Sequence, residues 1–273
     1  MASLFRFSNR VLDMIQHRLR LRAKSSHRFY NKVAPGATVS DLFLWRLGDQ
    51  WITEFPLCNL SSLCFPMAPQ GEVVVVRFFN AAGDFLKEWE TVLAPFEEQT
   101  LKIKEQLYGI TSDVFGTFCV FHAPTLKNHF LASQTNISDR GYVSYRRNTD
   151  QVSSYTHGNT YVLSRNNDEP NQTCFVRYAS WRKHTYNLQT TLDDAVQTEV
   201  FISNPTKNRQ TVTITQFFPD FQTTDTAVTL GPLESCLFTV EKLTRRIALS
   251  SHVFMLRPLV FKTYVNGFDV FHG

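Results

Sequence analysis

Tyrosine and arginine crowd one stretch of this chain. Six of the nine tyrosines fall between Tyr142 and Tyr186, beside Trp181, His157, His184, Arg140, Arg146, Arg147, Arg165, Arg177 and Arg182. Three clusters carry them: Gly141-Tyr142-Val143-Ser144-Tyr145-Arg146, Tyr155-Thr156-His157-Gly158-Asn159 and Arg177-Tyr178-Ala179-Ser180-Trp181-Arg182. Tyrosine and tryptophan offer a flat apolar surface with one hydrogen-bonding tip. Arginine offers a planar fork that matches carboxylate or phosphate. In a strand, Tyr142, Ser144 and Arg146 share one face, and Val143 and Tyr145 share the other. The groups that suit a glycan-like or anionic small ligand are Tyr142, Tyr145, Arg146, His157, Asn159, Arg177, Trp181 and His184. The competing reading is that this stretch glues neighbouring units together, since Tyr and Arg also populate sheet faces and domain contacts.

Catalytic patterns are sparse. His157 and His184 have no near partner in sequence, and neither H-x-H nor H-E-x-x-H occurs, so no metal site is expected. Asp139, Asp150, Asp168 and Glu169 are the local acids, and no spacing singles out a glycosidase pair. There is no G-x-S-x-G elbow, P-loop or dinucleotide fingerprint, and no cofactor is expected. Cys174 reads as a small core thiol in a Cys-Phe-Val strand rather than as a nucleophile. The enzymatic alternative is a sugar-acting enzyme with His157 as general base and Arg177 or Arg182 holding an anionic group.

Charge is unevenly spread. Residues 1–32 carry eight basic residues against the single acid Asp13, while the whole chain is only +4. The remainder is therefore slightly acidic, which argues against a nucleic-acid partner. Leu4, Val11, Leu12, Ile15 and Leu19 recur at helical spacing, so residues 4–22 are expected to form an amphipathic helix. It either packs on the body or meets a membrane surface peripherally. The five cysteines are odd in number and form no C-x-x-C pair, which points to free thiols in the reducing cytoplasm.

The elements that must position these residues are short strands. Asp41–Leu47, Gln50–Cys58, Glu72–Phe79, Phe85–Leu93, Gln99–Ile103 and Thr117–His122 alternate or run apolar between turn residues. Gly141–Arg146, Thr160–Ser164 and Cys174–Ala179 follow in the intermediate segment. The order of features then returns. Glu54–Asn59 matches Glu199–Asn204, Val73–Phe79 matches Thr211–Phe218, and Leu93-Ala94-Pro95-Phe96-Glu97 matches Leu230-Gly231-Pro232-Leu233-Glu234. Lys102–Leu107 is set against Phe238–Leu243, and Phe118–Pro124 against His252–Pro258.

A conserved order of weak matches reads as an internal duplication. The expected fold is mainly β, with two tandem, pseudo-repeated antiparallel β-sandwich units and one N-terminal amphipathic helix. The expected division is a basic helix and linker (1–36), a first sandwich (37–125), the Tyr/Arg-rich intermediate segment (126–194) and a second sandwich (195–273). The intermediate segment either adds strands to the first unit or spans both. The strand pattern resembles the broad class of immunoglobulin-like and jelly-roll sandwiches, without the Cys-Trp-Cys arrangement of true immunoglobulin domains. Such a fold does not give a function. The functional expectation is a non-catalytic binding or assembly protein that recognises a glycan-like or anionic ligand on the intermediate segment.

Overall fold

The computed structural model describes residues 33, 37–48, 50–124, 138–139, 141–165, 173–188, 195–254 and 256–273. The expected helix over residues 4–22 lies outside them, as do Arg140, Asp168 and Glu169. The described chain is mainly β, in four sheets.

The first strands are β1 (Thr38–Arg46), β2 (Trp51–Cys58), β3 (Glu72–Phe79), β4 (Phe85–Leu93), β5 (Glu98–Lys102) and β6 (Phe115–Pro124). Two short helices, α1 (Leu60–Cys64) and α2 (Ile103–Leu107), interrupt them. From the intermediate segment come β7 (Ser138–Asp139), β8 (Tyr142–Arg147), β9 (Ser154–His157), β10 (Asn159–Arg165), β11 (Thr173–Phe175) and β12 (His184–Leu188). The chain ends with β13 (Gln197–Ser203), β14 (Gln210–Phe217), β15 (Thr223–Leu230), β16 (Ser235–Thr239), β17 (Arg246–Ser251), β18 (Leu259–Tyr264) and β19 (Gly267–His272).

Local sequence explains the strands. In β2, Trp51, Thr53, Phe55 and Leu57 are buried and alternate with more open residues, the signature of a sheet with one face in the core. The central run Val74-Val75-Val76 is buried on both faces. The outer strands β4 and β15 carry Lys87, Glu88 and Glu90, or threonines and Asp225, which keeps these edges soluble.

Strand order repeats along the described chain. The path β1-β6-β3-β4 has the order of β12-β17-β14-β15, and β5-β2-β8-β9 has the order of β16-β13-β18-β19. Only β7, β10 and β11 lack a counterpart. The strongest local match is the pair Asn59 and Asn204, each buried at the end of the corresponding strand. Asn59 Nδ2 donates to the carbonyls of Gln70, Leu93 and Ala94, and Asn204 Nδ2 to those of Asn208, Leu230 and Gly231. Asn59 N–H donates to Glu97 O, and Asn204 N–H to Glu234 O. In the Leu-x-Pro-x-Glu turns, Glu97 and Glu234 accept the backbone N–H of Ala94 and Gly231, while Phe96 and Leu233 share a φ near +60°. One asparagine thus ties a strand end to a turn in each half.

Two of the sequence matches need correction. Glu54 pairs with Lys102 while Glu199 pairs with Thr239, so the α2 match slips by one residue. Phe78 pairs with Phe118 and its counterpart Gln216 with Ile247, so Phe118–Pro124 corresponds to Ile247–Val253 rather than His252–Pro258. The cause is the connection before these strands, which is longer at 103–114, where α2 forms, than at 240–245.

The cores are also not separate, as two self-contained sandwiches would require. The sheet β16-β13-β18-β19 is buried on both sides. Val200, Ile202 and Val260 join the cluster with β14 and β17, whereas Phe201, Leu259, Phe261 and Val270 join the cluster of the first half. At this joint Trp51 packs edge-on against Phe261 at 5.3 Å and Phe268 at 5.2 Å, and Arg46 reaches Glu199 at 2.7 Å. The β3–β4 turn adds a backbone bond, Ser235 N–H to Ala81 O. Gly83 sits so close there that a Cβ would lie 2.4 Å from Pro232 O. Only glycine fits that approach.

Candidate functional site

The intermediate segment divides among three sheets, and this divides its candidate residues. Strands β8 and β9 extend the β2 sheet, β10 and β11 extend the β1 sheet, and β12 opens the second half.

On the β2 sheet, register places Tyr142 opposite His157 and Ser144 opposite Tyr155. Arg146 lies opposite Ile52, and Ser144 opposite Glu54. With the alternation of side chains, Glu54, Tyr142, Ser144, Arg146, Tyr155 and His157 therefore share one face. Tyr142 and Tyr155 are 53% and 59% exposed, a large opening for aromatic side chains. The expected shared face of Tyr142, Ser144 and Arg146 is present. Tyr155 and Glu54 belong to it as well; the tyrosine was visible in its cluster, but the glutamate lies far away in sequence.

Tyr145 faces the other way. It is fully buried, its hydroxyl donates to Leu44 O at 2.9 Å, and its ring meets Phe261. Burial pushes its phenol well above the ordinary tyrosine range, so it stays neutral. Asn159 and Arg177 are buried together beside the β1 sheet. Arg177 Nη1 donates to Asn159 Oδ1 at 2.9 Å, and Nη2 donates to Phe254 O. This guanidinium links β10 to the loop after β17.

Trp181 and His184 stand on the second half. Trp181 is 78% exposed, with the Arg182 guanidinium 4.4 Å from its ring. His184 packs against Phe254 and Tyr186. Its pKa is lowered by burial first, and then by His252 and Arg182.

His157 lies where the two halves meet. Its ring stacks on His272 with 4.3 Å between centroids, and Arg257 Nη1 approaches its Nδ1 at 3.4 Å. A cavity lined by His157, Asn159, Thr117, Arg257 and His272 measures only about 10 Å³. That is room for about one water and for no sugar.

No family model matches this chain, and no curated protein is similar to it.

A second polar cluster is buried under α1. Ser61 Oγ donates to Glu72 Oε1 at 2.9 Å, and His122 Nδ1 lies 3.2 Å from Glu72 Oε2. The carboxylate stands between the hydroxyl and the imidazole. A serine nucleophile needs the imidazole in that middle place. The cluster instead anchors α1 to β3 and β6. Among the described residues, no group of three His, Cys, Asp or Glu could hold a metal ion. None of their helices is long and apolar enough to cross a membrane.

Proposed function

We propose that this chain is a non-catalytic binding or assembly protein whose recognition surface is the open face of the β5-β2-β8-β9 sheet. The observation that carries the reading is the placement of Tyr142, Arg146 and Tyr155 side by side on that face, two of them more than half exposed. Flat rings flanked by a guanidinium fit a hydroxyl-rich ligand with an anionic group, a glycan or glycan-like molecule. Trp181 with Arg182 forms a second open pair of the same chemistry. Tyr145, Asn159 and Arg177 then serve as scaffold behind the surface.

The architecture underlying this reading is a tandem duplication of an eight-stranded antiparallel β-sandwich, fused through a shared core. Matching strand order and the twin asparagine clamps support it. The first unit extends through β9 and the second begins at β12, so the intermediate segment contributes to both. All five thiols are free, which supports a reducing, cytoplasmic setting. Residues 4–22 are kept as the candidate peripheral membrane contact.

An enzyme with His157 as general base is less well supported. The groups around that ring include Arg257 and His272, and the adjoining cavity is too small for substrate.

Thermal-shift screening of neutral, sulfated and uronic-acid oligosaccharides tests the proposal, with calorimetry on the hits. Binding that weakens at least tenfold in both Tyr142→Ala/Tyr155→Ala and Arg146→Ala is the expected result. Absence of any hit, or binding indifferent to all three changes, overturns it.

A further inference from the structure

The joint between the halves has a giving side and a receiving side. The giving side is the β16-β13-β18-β19 face that bears Glu199, Phe201, Leu259 and Phe261; the receiving side includes Arg46, Trp51 and Phe115. Because the halves share strand order, each possesses a counterpart of both sides. Counting back from the twin asparagines, Glu54 is the counterpart of Glu199, and Pro56 of Phe201. Strand pairing then makes Tyr142 and Ser144 the counterparts of Leu259 and Phe261. The internal joint uses the second half's giving face and the first half's receiving face. On the other two surfaces, Tyr142 and Val196 are exposed among the described residues.

The open giving face retains the decisive acid. Glu199 is buried against Arg46, whereas Glu54 is partly exposed and makes no ion pair among the described residues. On the receiving side, the counterpart of Trp51 is Val196, three residues before Glu199 as Trp51 is before Glu54. Trp51 is buried under Phe261 and Phe268, but Val196 is 57% exposed. It lines an open groove of about 520 Å³ with Lys242, Leu243 and Glu241, whose carboxylate is already held by Gln216. Leu243 is 78% exposed and held at φ +74°, a conformation leucine rarely adopts. An exposed apolar side chain on strained backbone is a feature that contact with a partner explains.

We propose that the open face of the β5-β2-β8-β9 sheet docks into the Val196–Leu243 groove of a second copy of this chain, head to tail. Glu54 then faces the Lys242 side of the groove, repeating in charge the Arg46–Glu199 contact. Such a contact is heterologous, so it propagates into a ring or a filament instead of stopping at a dimer. The inference stands on the duplication and not on the ligand reading, although both use the Tyr142–Tyr155 face. The groove variant separates them, since Leu243 is no part of the ligand surface.

Sedimentation velocity of the full chain, from about 1 to 100 μM, tests this in the range of weak protein contacts. The wild type is expected to grow in mean mass with concentration. Glu54→Arg alone and Leu243→Asp alone should each remain monomeric, with unchanged circular dichroism. Their equal mixture should approach twice the protomer mass and grow no further, because only one intact pair of surfaces remains. A wild type that is monomeric throughout, a mixture that stays monomeric, or self-association untouched by both variants overturns the proposal. Retention of oligosaccharide binding by Leu243→Asp shows that a failure here leaves the ligand reading in place.

Discussion

His157 and His272 occupy corresponding positions at the ends of β9 and β19, and they stack on each other at the joint. Tyr142 pairs with His157 as Leu259 pairs with His272. His272 Nε2 also donates to His157 O at 2.6 Å. Two imidazoles in this contact, with Arg257 beside them, oppose any added proton.

Acid should therefore loosen the joint. Burial, and next the charge of His157, lower the His272 pKa from 6.5 to about 4. The folded state binds the proton more weakly than the unfolded state. Stability is thus complete above pH 6.5 and falls as pH drops through the window between 6.5 and 4. At about 1.4 kcal/mol per pH unit, the loss from His272 is at most about 3–4 kcal/mol. Urea unfolding from pH 7.5 to 4 should show the slope, and His272→Gln, which keeps a donor for His157 O, should flatten it. Equal slopes in the two proteins would refute the assignment.

The asparagine clamps should be costly to remove. Asn59→Ala or Asn204→Ala leaves several buried carbonyls and N–H groups without their partner, a loss of about 2–4 kcal/mol each. Asp in place of either asparagine should be no milder, because it replaces the amide donor with an oxygen facing carbonyls. Chemical denaturation of the four variants measures this. A cost below about 0.5 kcal/mol at either site would show that its clamp is dispensable.

Arg177 should behave as scaffold rather than as ligand contact. Arg177→Lys cannot span both Asn159 Oδ1 and Phe254 O with a planar fork, so it should lose stability almost as Arg177→Met does. Breaking a buried charged network typically costs about 3 kcal/mol. Oligosaccharide affinity, measured well below the melting temperature, should remain within twofold of wild type. A selective loss of affinity at full stability would move Arg177 into the recognition surface.

Thiol accessibility provides a check on the sheet packing. Cys174, expected as a core thiol, is instead exposed because its strand β11 lies at the sheet edge; Cys64 is exposed too, whereas Cys119 is fully buried in β6 and burial pushes its thiol far up. Burial also raises Cys236 to about 11. Native alkylation near pH 8, followed by mass spectrometry, should modify Cys64 and Cys174 first and Cys119 last. Early reaction of Cys119 would mean that the β6 layer opens readily.

Much of the local architecture was legible in the residues themselves. Alternation in Trp51–Cys58 and Tyr142–Arg147 revealed strands and their faces, because a pleated chain must send neighbouring side chains to opposite sides. The Asn59 and Asn204 turns stood out as a repeated pattern, because each clamp closes within its own half of the chain. Short strands such as β9 and β12 and the one-turn helices escaped notice, since so few residues establish no period. The connection at 103–114 misled the alignment because its length is free to differ between halves.

Which face meets which was decided only in three dimensions. Glu54 and Glu199 occupy the same place in the same local pattern, yet one is partly open and the other is buried against Arg46. Likewise, Tyr142 is open and Tyr145 buried within one tyrosine-rich strand. Chain chemistry sets the direction in which a side chain points, but burial depends on the sheet that lies opposite. That partner is supplied by residues more than a hundred positions away.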